Sequence, residues 1–306
     1  MPALGLGTWK SEPGEVYQAV IDAVKIGYRH IDCAPIYANE AEIGQALQFL
    51  FTNGIIKREE LWITSKLWCN AHATDQVVPA LDKTLKDLQL DYLDLFLIHW
   101  PVALKPHVMF AQKADDTISL KEIPTIDTWK GMELCVKKGL ARHIGVSNFS
   151  VPKLKELISQ ANIKPEMNQI ELHPLLQQQS MLDFCNRENI FLTAYSPLGS
   201  KDRIPAFKAH DEPSLLENPV ISEIANNNNV STAQVLISWA LARGTSVIPK
   251  SVNPGRLKQN FESENFELSQ SDMNKIAKLD RHYRYVKGEF WAIKGSTYTV
   301  QNLWDE

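Results

Sequence analysis

Eight short apolar runs, separated by amphipathic stretches, constrain the fold of this sequence more than any other feature. They are Ala3–Trp9, Tyr28–Cys33, Leu61–Leu67, Leu93–Trp100, His143–Ser147, Glu166–Leu172, Phe191–Ser196 and Ser246–Pro249. Each has the length of a buried strand and is rich in branched or aromatic residues. Between them the apolar spacing changes to that of a helix. Val16, Ala19, Val20, Ala23 and Val24 follow Glu12-Pro-Gly-Glu and stop at Gly27, giving early acids, an early proline and a terminal glycine. Residues 40–53, 74–90, 125–139 and 151–161 also read as helices, three of them closing near Asn53, Gly139 or Asn162. The alternation predicts a parallel sheet wrapped by helices, and its eight repeats predict an α/β chain closed as a (β/α)8, or TIM, barrel.

A barrel also bears on domain count. The 306 residues would otherwise suggest two domains of about 150 residues, but α/β barrels commonly run to roughly 250 as one unit. No glycine-rich linker divides the chain, so residues 1–306 read as a single barrel domain. Two connections are long: residues 101–124 after the fourth run and 198–217 after the seventh. Loops beyond roughly 12 to 15 residues are usually functional or disordered, and in a barrel those after strands surround the mouth. With the tail after Asp280, they are expected to wall the substrate site.

Composition narrows the partners. At 44% hydrophobic and 22% charged residues the chain has ample core for a globular protein. A net charge of -4, with no block of like charges, offers nothing to a nucleic-acid backbone. Cys33, Cys69, Cys135 and Cys185 show neither CxxC spacing nor disulfide density, so they are expected as reduced thiols, and no metal site is expected. The N-terminus lacks a charged region followed by an apolar one, and no uncharged stretch reaches the roughly 18 residues of a membrane span. A cytoplasmic location away from membranes is the expectation.

Polar residues fall at the carboxyl ends of most runs. Asp32 closes the second, Lys66 the third, His99 the fourth, Ser147 and Asn148 the fifth, Gln169 the sixth, Tyr195 the seventh and Lys250 the eighth. Any one has an ordinary reading, because strand ends meet water. The set does not: in a barrel these ends converge on one face, where active sites are assembled from several strands.

Gly5–Trp9 (Gly-Leu-Gly-Thr-Trp), Asp32–Glu40 (Asp-Cys-Ala-Pro-Ile-Tyr-Ala-Asn-Glu), Thr64–Trp68, Leu97–Pro101, Gly145–Phe149, Asn168-Gln169 and Ile248–Ser251 resemble, in order and spacing, the aldo-keto reductase family. The likeness runs through nearly all the chain. It implies a monomeric oxidoreductase of the aldehyde-reductase type, reducing aldehydes or ketones with NADPH.

Carbonyl reduction needs a hydride at carbon and a proton at oxygen, so a positioned acid is required. By resemblance Tyr37 is that acid. A free tyrosine, with a pKa of about 10, is a poor acid near neutrality unless a cation stabilises the phenolate it becomes. Lys66 supplies the cation, Asp32 keeps it charged and oriented, and His99 hydrogen-bonds the substrate carbonyl. Taken singly, Tyr37 reads as a loop residue, Asp32 with Lys66 as a barrel salt bridge, and His99 as a core histidine.

No G-x-G-x-x-G follows a strand with an acid about 20 residues on, which disfavours a Rossmann domain; the barrel itself must hold the dinucleotide. The resemblance gives Ser147, Asn148 and Gln169 to the carboxamide and Tyr195 to a stack on the nicotinamide. After the last run, Lys250, Ser251, Val252, Asn253 and Arg256 form a cradle. Asn253 can cap a helix, Pro254 suits its first position, and the helix start with two bases fits the 2′-phosphate of NADPH. A capped helix with solvated bases is the plainer alternative. Gln259 and Asn260 match adenine-side positions, Ser196, Leu198 and Ser200 a phosphate-lining run, and Asp202 a loop acid pairing with Lys10 and Lys250 as a belt over the pyrophosphate.

Trp9, Trp68 and Trp100 border strand ends and would line a mostly apolar substrate pocket. Family chains commonly place a further tryptophan after the seventh strand. This loop reads Arg203-Ile-Pro-Ala-Phe207, so its wall differs. They also carry a hairpin ahead of Gly-Leu-Gly-Thr-Trp that plugs the barrel floor, whereas four residues precede Gly5 here, so either a segment is missing ahead of them or another element covers the floor. A Schiff-base aldolase would need Lys66 neutral, which an adjacent carboxylate opposes. Polyol oxidation by the same site, and a non-catalytic NADPH-binding barrel, stand as alternatives.

Overall fold

The computed structural model describes residues 1–203 and 208–306. Eight strands pair in parallel in chain order: β1 (Leu6–Gly7), β2 (His30–Asp32), β3 (Trp62–Leu67), β4 (Leu93–Ile98), β7 (Ala141–Ser147), β8 (Met167–Glu171), β9 (Phe191–Tyr195) and β10 (Ser246–Val247). Bridges Leu4 to Val247 and Gly7 to Lys250 join the last strand to the first and close the barrel. Gly7 suits this seam, since a Cβ there would meet the Ile248 carbonyl oxygen at 2.7 Å.

All eight predicted runs hold a strand, with ends set by pairing rather than by apolar length. Ala3–Trp9 narrows to Leu6–Gly7, while the fifth run lengthens to Ala141 because that residue pairs with Leu93. β4 is buried on both faces, which is why Leu-Asp-Leu-Phe-Leu-Ile shows no clean alternation.

The helices form the outer ring. α1 (Glu15–Ile26), α2 (Glu40–Thr52), α3 (Thr74–Leu88), α4 (Thr125–Lys137) and α5 (Val151–Gln160) match the predicted periods. α1 starts three residues after Glu12 because Gly14 adopts φ 89 immediately before it. α7 (Pro219–Asn228) begins where the pattern near Asn218 resumes, with Asn218 as its side-chain cap. α6 (Gln179–Glu188) and α8 (Thr232–Ala242) carry weaker signals. Gln178 enters α6 in a left-handed conformation without a side-chain cap, and α8 is apolar nearly all round, so it lacks an amphipathic period. α9 (Pro254–Phe261) packs against α1, and the Tyr28 hydroxyl donates to the Leu257 carbonyl across that contact at 3.0 Å.

Residues 101–124 contain a small hairpin, β5 (Ala103–Leu104) with β6 (Thr117–Ile118). After α10 (Gln270–Ala277) the tail crosses the carboxyl-end face and finishes in α11 (Val300–Trp304). At the opposite end Trp62 packs on Leu95, Leu97 and Met167 and stacks on His143 at 5.3 Å, beside a cavity of about 200 Å³ that Pro2, Asp94 and Arg142 also line. All four cysteines are free and buried. Among the described residues no helix is long and apolar enough to cross a membrane, and no cluster is suited to a metal ion.

Candidate active site

A cavity of about 1400 Å³ opens at the carboxyl ends of the strands and runs from Tyr37 and His99 to Arg256 and Asn260. Its length follows from the fold. Each strand ends at this face and hands over to a loop, so the strand-end residues share one wall. Asp32, Ser147, Asn148, Gln169 and Tyr195 all line it, as do Lys10, Leu198, Ser200, Asp202, Lys250, Ser251 and Val252. Lys66 lies beneath this wall.

Lys66 is the centre of the polar cluster. Its Nζ donates to Asp32 Oδ2 at 2.6 Å, to the Cys33 carbonyl at 2.9 Å and to the Tyr37 hydroxyl at 3.3 Å, all with the lysine side chain 0% exposed. Burial opposes the ammonium, but Asp32 and the Tyr37 oxygen outweigh it, so its pKa lies above the ordinary lysine value. Tyr37 is carried on a single 3₁₀ turn, Pro35–Tyr37, directly after the Asp32 strand end. Burial pushes its phenol up to about 12, against the pull of Lys66. The hydroxyl is therefore protonated at neutral pH, and with burial outweighing Lys66 it is held as a weaker acid than free tyrosine rather than the stronger one the sequence leads one to expect.

His99 meets Tyr37 edge-on, ring centroids 5.9 Å apart, and Trp68 likewise at 5.1 Å. Burial, reinforced by the Lys66 charge, holds the imidazole well below its usual value, so it is neutral. Its Nδ1 is buried without a partner.

The amide residues form a second layer. Gln169 Nε2 donates to Asp32 Oδ1 at 2.7 Å, Ser147 Oγ to the Gln169 carbonyl at 2.8 Å, and the Tyr195 hydroxyl to Asn148 Oδ1 at 2.7 Å. Asn148 takes φ 63 and sends its Nδ2 to the His99 carbonyl at 2.9 Å. Both ends of this one amide are thus engaged, the nitrogen by His99 and the oxygen by Tyr195.

The far end is built on α9. Asn253 Oδ1 accepts from the Arg256 amide at 3.0 Å, as the sequence predicts for a cap, and Ser251 Oγ accepts from the Asn253 amide at 3.1 Å. Gln259 and Asn260 line the cavity on the next turn. Lys10 pairs with Asp202, which lies in a loop held by the Ser196 Oγ to Ser200 Oγ hydrogen bond of 2.8 Å. Burial raises the Asp202 carboxyl, but Lys10 outweighs it and the net direction is down; Lys250 adds its field without pairing. The long cavity thus has a capped helix start and cations at one end and an amide cluster at the other, an arrangement able to take an elongated anionic ligand.

Trp9, Trp68 and Trp100 line the cavity, with Trp9 6.3 Å from the Tyr37 ring. The structure adds aromatic walls that strand-end reasoning misses. Trp291 lies 5.8 Å from Trp68 and 6.0 Å from Trp100, Phe290 5.6 Å from Trp100, and Phe110 6.1 Å from Trp68. All three sit in the long loop or the tail, and only the aromatic density of those segments signals them. Of the loop Arg203–Phe207, residues 204–207 lie outside the described residues. Arg203 itself is buried and pairs with Glu212.

The model of the aldo/keto reductase family matches residues 3–281. The chain is 59% identical over 306 residues to an aldo/keto reductase of Synechocystis sp., covering all of this chain and 94% of that one. It is 46% identical over 288 residues to aldo-keto reductase family 1 member A1 of Gallus gallus, and equally to its Homo sapiens counterpart, covering 94% of this chain and 88% of each.

Proposed function

This chain belongs to the aldo/keto reductase family, and from that premise we propose that it reduces aldehydes and ketones to alcohols with NADPH, Tyr37 giving the proton. The observation that carries the reading is the Tyr37–Lys66–Asp32 chain of hydrogen bonds opening into the mouth beside His99.

When bound, the nicotinamide supplies the hydride. The Tyr37 hydroxyl donates its proton to the carbonyl oxygen, and Lys66 stabilises the phenolate left behind. Each pKa unit of that stabilisation is about 1.4 kcal/mol, so one ammonium at hydrogen-bond distance eases proton release by a decade or more. Asp32 keeps Lys66 charged. Neutral His99 orients the carbonyl oxygen toward Tyr37. Trp9, Trp68 and Trp100 exclude water from the reacting carbon.

In this reading Ser147, Asn148 and Gln169 hold the carboxamide, and Tyr195 stacks on the nicotinamide. Ser196, Leu198, Ser200, Lys10 and Asp202 follow the pyrophosphate. Lys250, Ser251, Val252, Asn253 and Arg256 hold the 2′-phosphate, with Gln259 and Asn260 at the adenine. Residues 1–306 act as one barrel domain in a cytoplasmic monomer.

The test is to mix protein, NADPH and a panel of aromatic, aliphatic and sugar aldehydes and follow nicotinamide absorbance. Turnover that Tyr37→Phe lowers by at least about a hundredfold, with NADPH affinity kept, is the expected result. Tight NADPH binding without turnover across the panel would instead make the chain a binding module.

A further inference from the structure

Glu171 ends β8 two residues beyond Gln169, fully buried, and the mechanism above does not use it. Both of its oxygens are occupied. Oε1 accepts from His173 Nε2 at 2.8 Å and from the Tyr285 backbone amide at 2.6 Å, and Oε2 accepts from the Val286 amide at 2.8 Å. Two consecutive amides of the tail thus dock on one carboxylate. Tyr285 is also held from its side chain: its ring lies 4.9 Å from His173, and its hydroxyl donates to the Pro213 carbonyl at 2.6 Å. Four residues beyond Val286 the tail reaches the aromatic wall, with Phe290 against Trp100 and Trp291 against Trp68 and Trp100. A buried charge is costly unless its hydrogen bonds require it, and here its geometry matches a pair of adjacent N–H groups. Burial alone would raise this carboxyl; His173 and the Tyr285 amide outweigh it and keep it ionised.

We propose that Glu171 is a positioning residue: it seats Tyr285 and Val286, fixes the path of the tail, and thereby sets the aromatic wall that selects large substrates. The proposal rests on the carbonyl-reduction reading above.

Glu171→Gln keeps the size but turns one oxygen into a donor facing an amide N–H. KM for a two-ring aromatic aldehyde is expected to rise about tenfold, with kcat changed by less than about threefold. KM for propanal and Kd for NADPH should each move by less than about threefold, and Glu171→Asp should recover part of the loss. An equal rise for both aldehydes, or none for the large one, overturns the proposal. Hydrogen exchange on the unaltered protein needs neither turnover nor a variant that folds. The amides of Tyr285 and Val286 should exchange about tenfold more slowly than that of Lys287. Equal rates would overturn the seat itself. Slow exchange in a protein that reduces no aldehyde would leave the seat standing and reject only the function reading.

Discussion

Gln169 Nε2 lies 2.7 Å from Asp32 Oδ1, so the amide side chain at the middle of β8 holds the oxygen that Lys66 leaves free. A continuous chain then runs from Gln169 through Asp32 and Lys66 to Tyr37. Gln169→Leu removes the donor and leaves a buried carboxylate oxygen unsatisfied, which costs about 1–3 kcal/mol. Urea unfolding should show that loss together with a lower kcat. Unchanged stability would mean that Asp32 finds another donor and that the chain is not continuous.

Lys66 and Asp32 are side chains 0% and 3% exposed, so neither charge has water to fall back on. Lys66→Met alone strands a buried carboxylate and should destabilise by about 3–5 kcal/mol. Adding Asp32→Leu should recover most of that stability while activity stays lost. Thermal unfolding of the two variants separates charge from shape. A double variant no more stable than the single one would show that packing, not charge, dominates here.

Glu40, the first residue of α2, accepts from Ser65 Oγ at 2.5 Å and Thr84 Oγ1 at 3.2 Å, and burial lifts its carboxyl to about 7. The sign follows from proton counts. Between the unfolded carboxylate value and about 7 the folded chain holds a proton that the unfolded chain has released, so stability falls as pH rises through that window. Above it the penalty is complete. Glu40→Gln cannot ionise, so its advantage in melting temperature over the unaltered protein should grow from about pH 5 to about pH 8. A constant difference would show that Glu40 carries no such penalty.

Legibility in the sequence tracks how local each determinant is. Asp32, Lys66, His99 and Tyr37 sit at or just after strand ends, and the barrel's geometry brings such ends together whatever the loops do. The α9 cap is local too, because Asn253 and Arg256 are three residues apart. Helix α8 hides its period by being buried nearly all round, yet the Ser231–Gln234 capping box marks its start. The seat at Glu171 was not legible: His173 is a near neighbour, but the two backbone amides it holds lie more than a hundred residues away, which no side-chain pattern encodes. Phe110, Phe290 and Trp291 were hidden for a related reason, since long-range packing sets the path of their segments.

Cofactor preference gives the sharpest separation of roles. Lys250 ends the last barrel crossing at the Gly7 bridge, and Arg256 lies in the first turn of α9, so both cations flank a capped helix start. A phosphomonoester at that place would meet two cations at the positive end of a helix, and a dinucleotide lacking it would meet neither. Lys250→Met with Arg256→Leu should therefore raise Kd for NADPH by about 10- to 100-fold and Kd for NADH by less than about threefold, read by fluorescence titration. Because both side chains reach solvent, added salt should shrink the gap between the two cofactors in the unaltered protein. Equal weakening of both would assign the pair to the pyrophosphate they share, and the Asn253 cap would then stabilise α9 without selecting a cofactor.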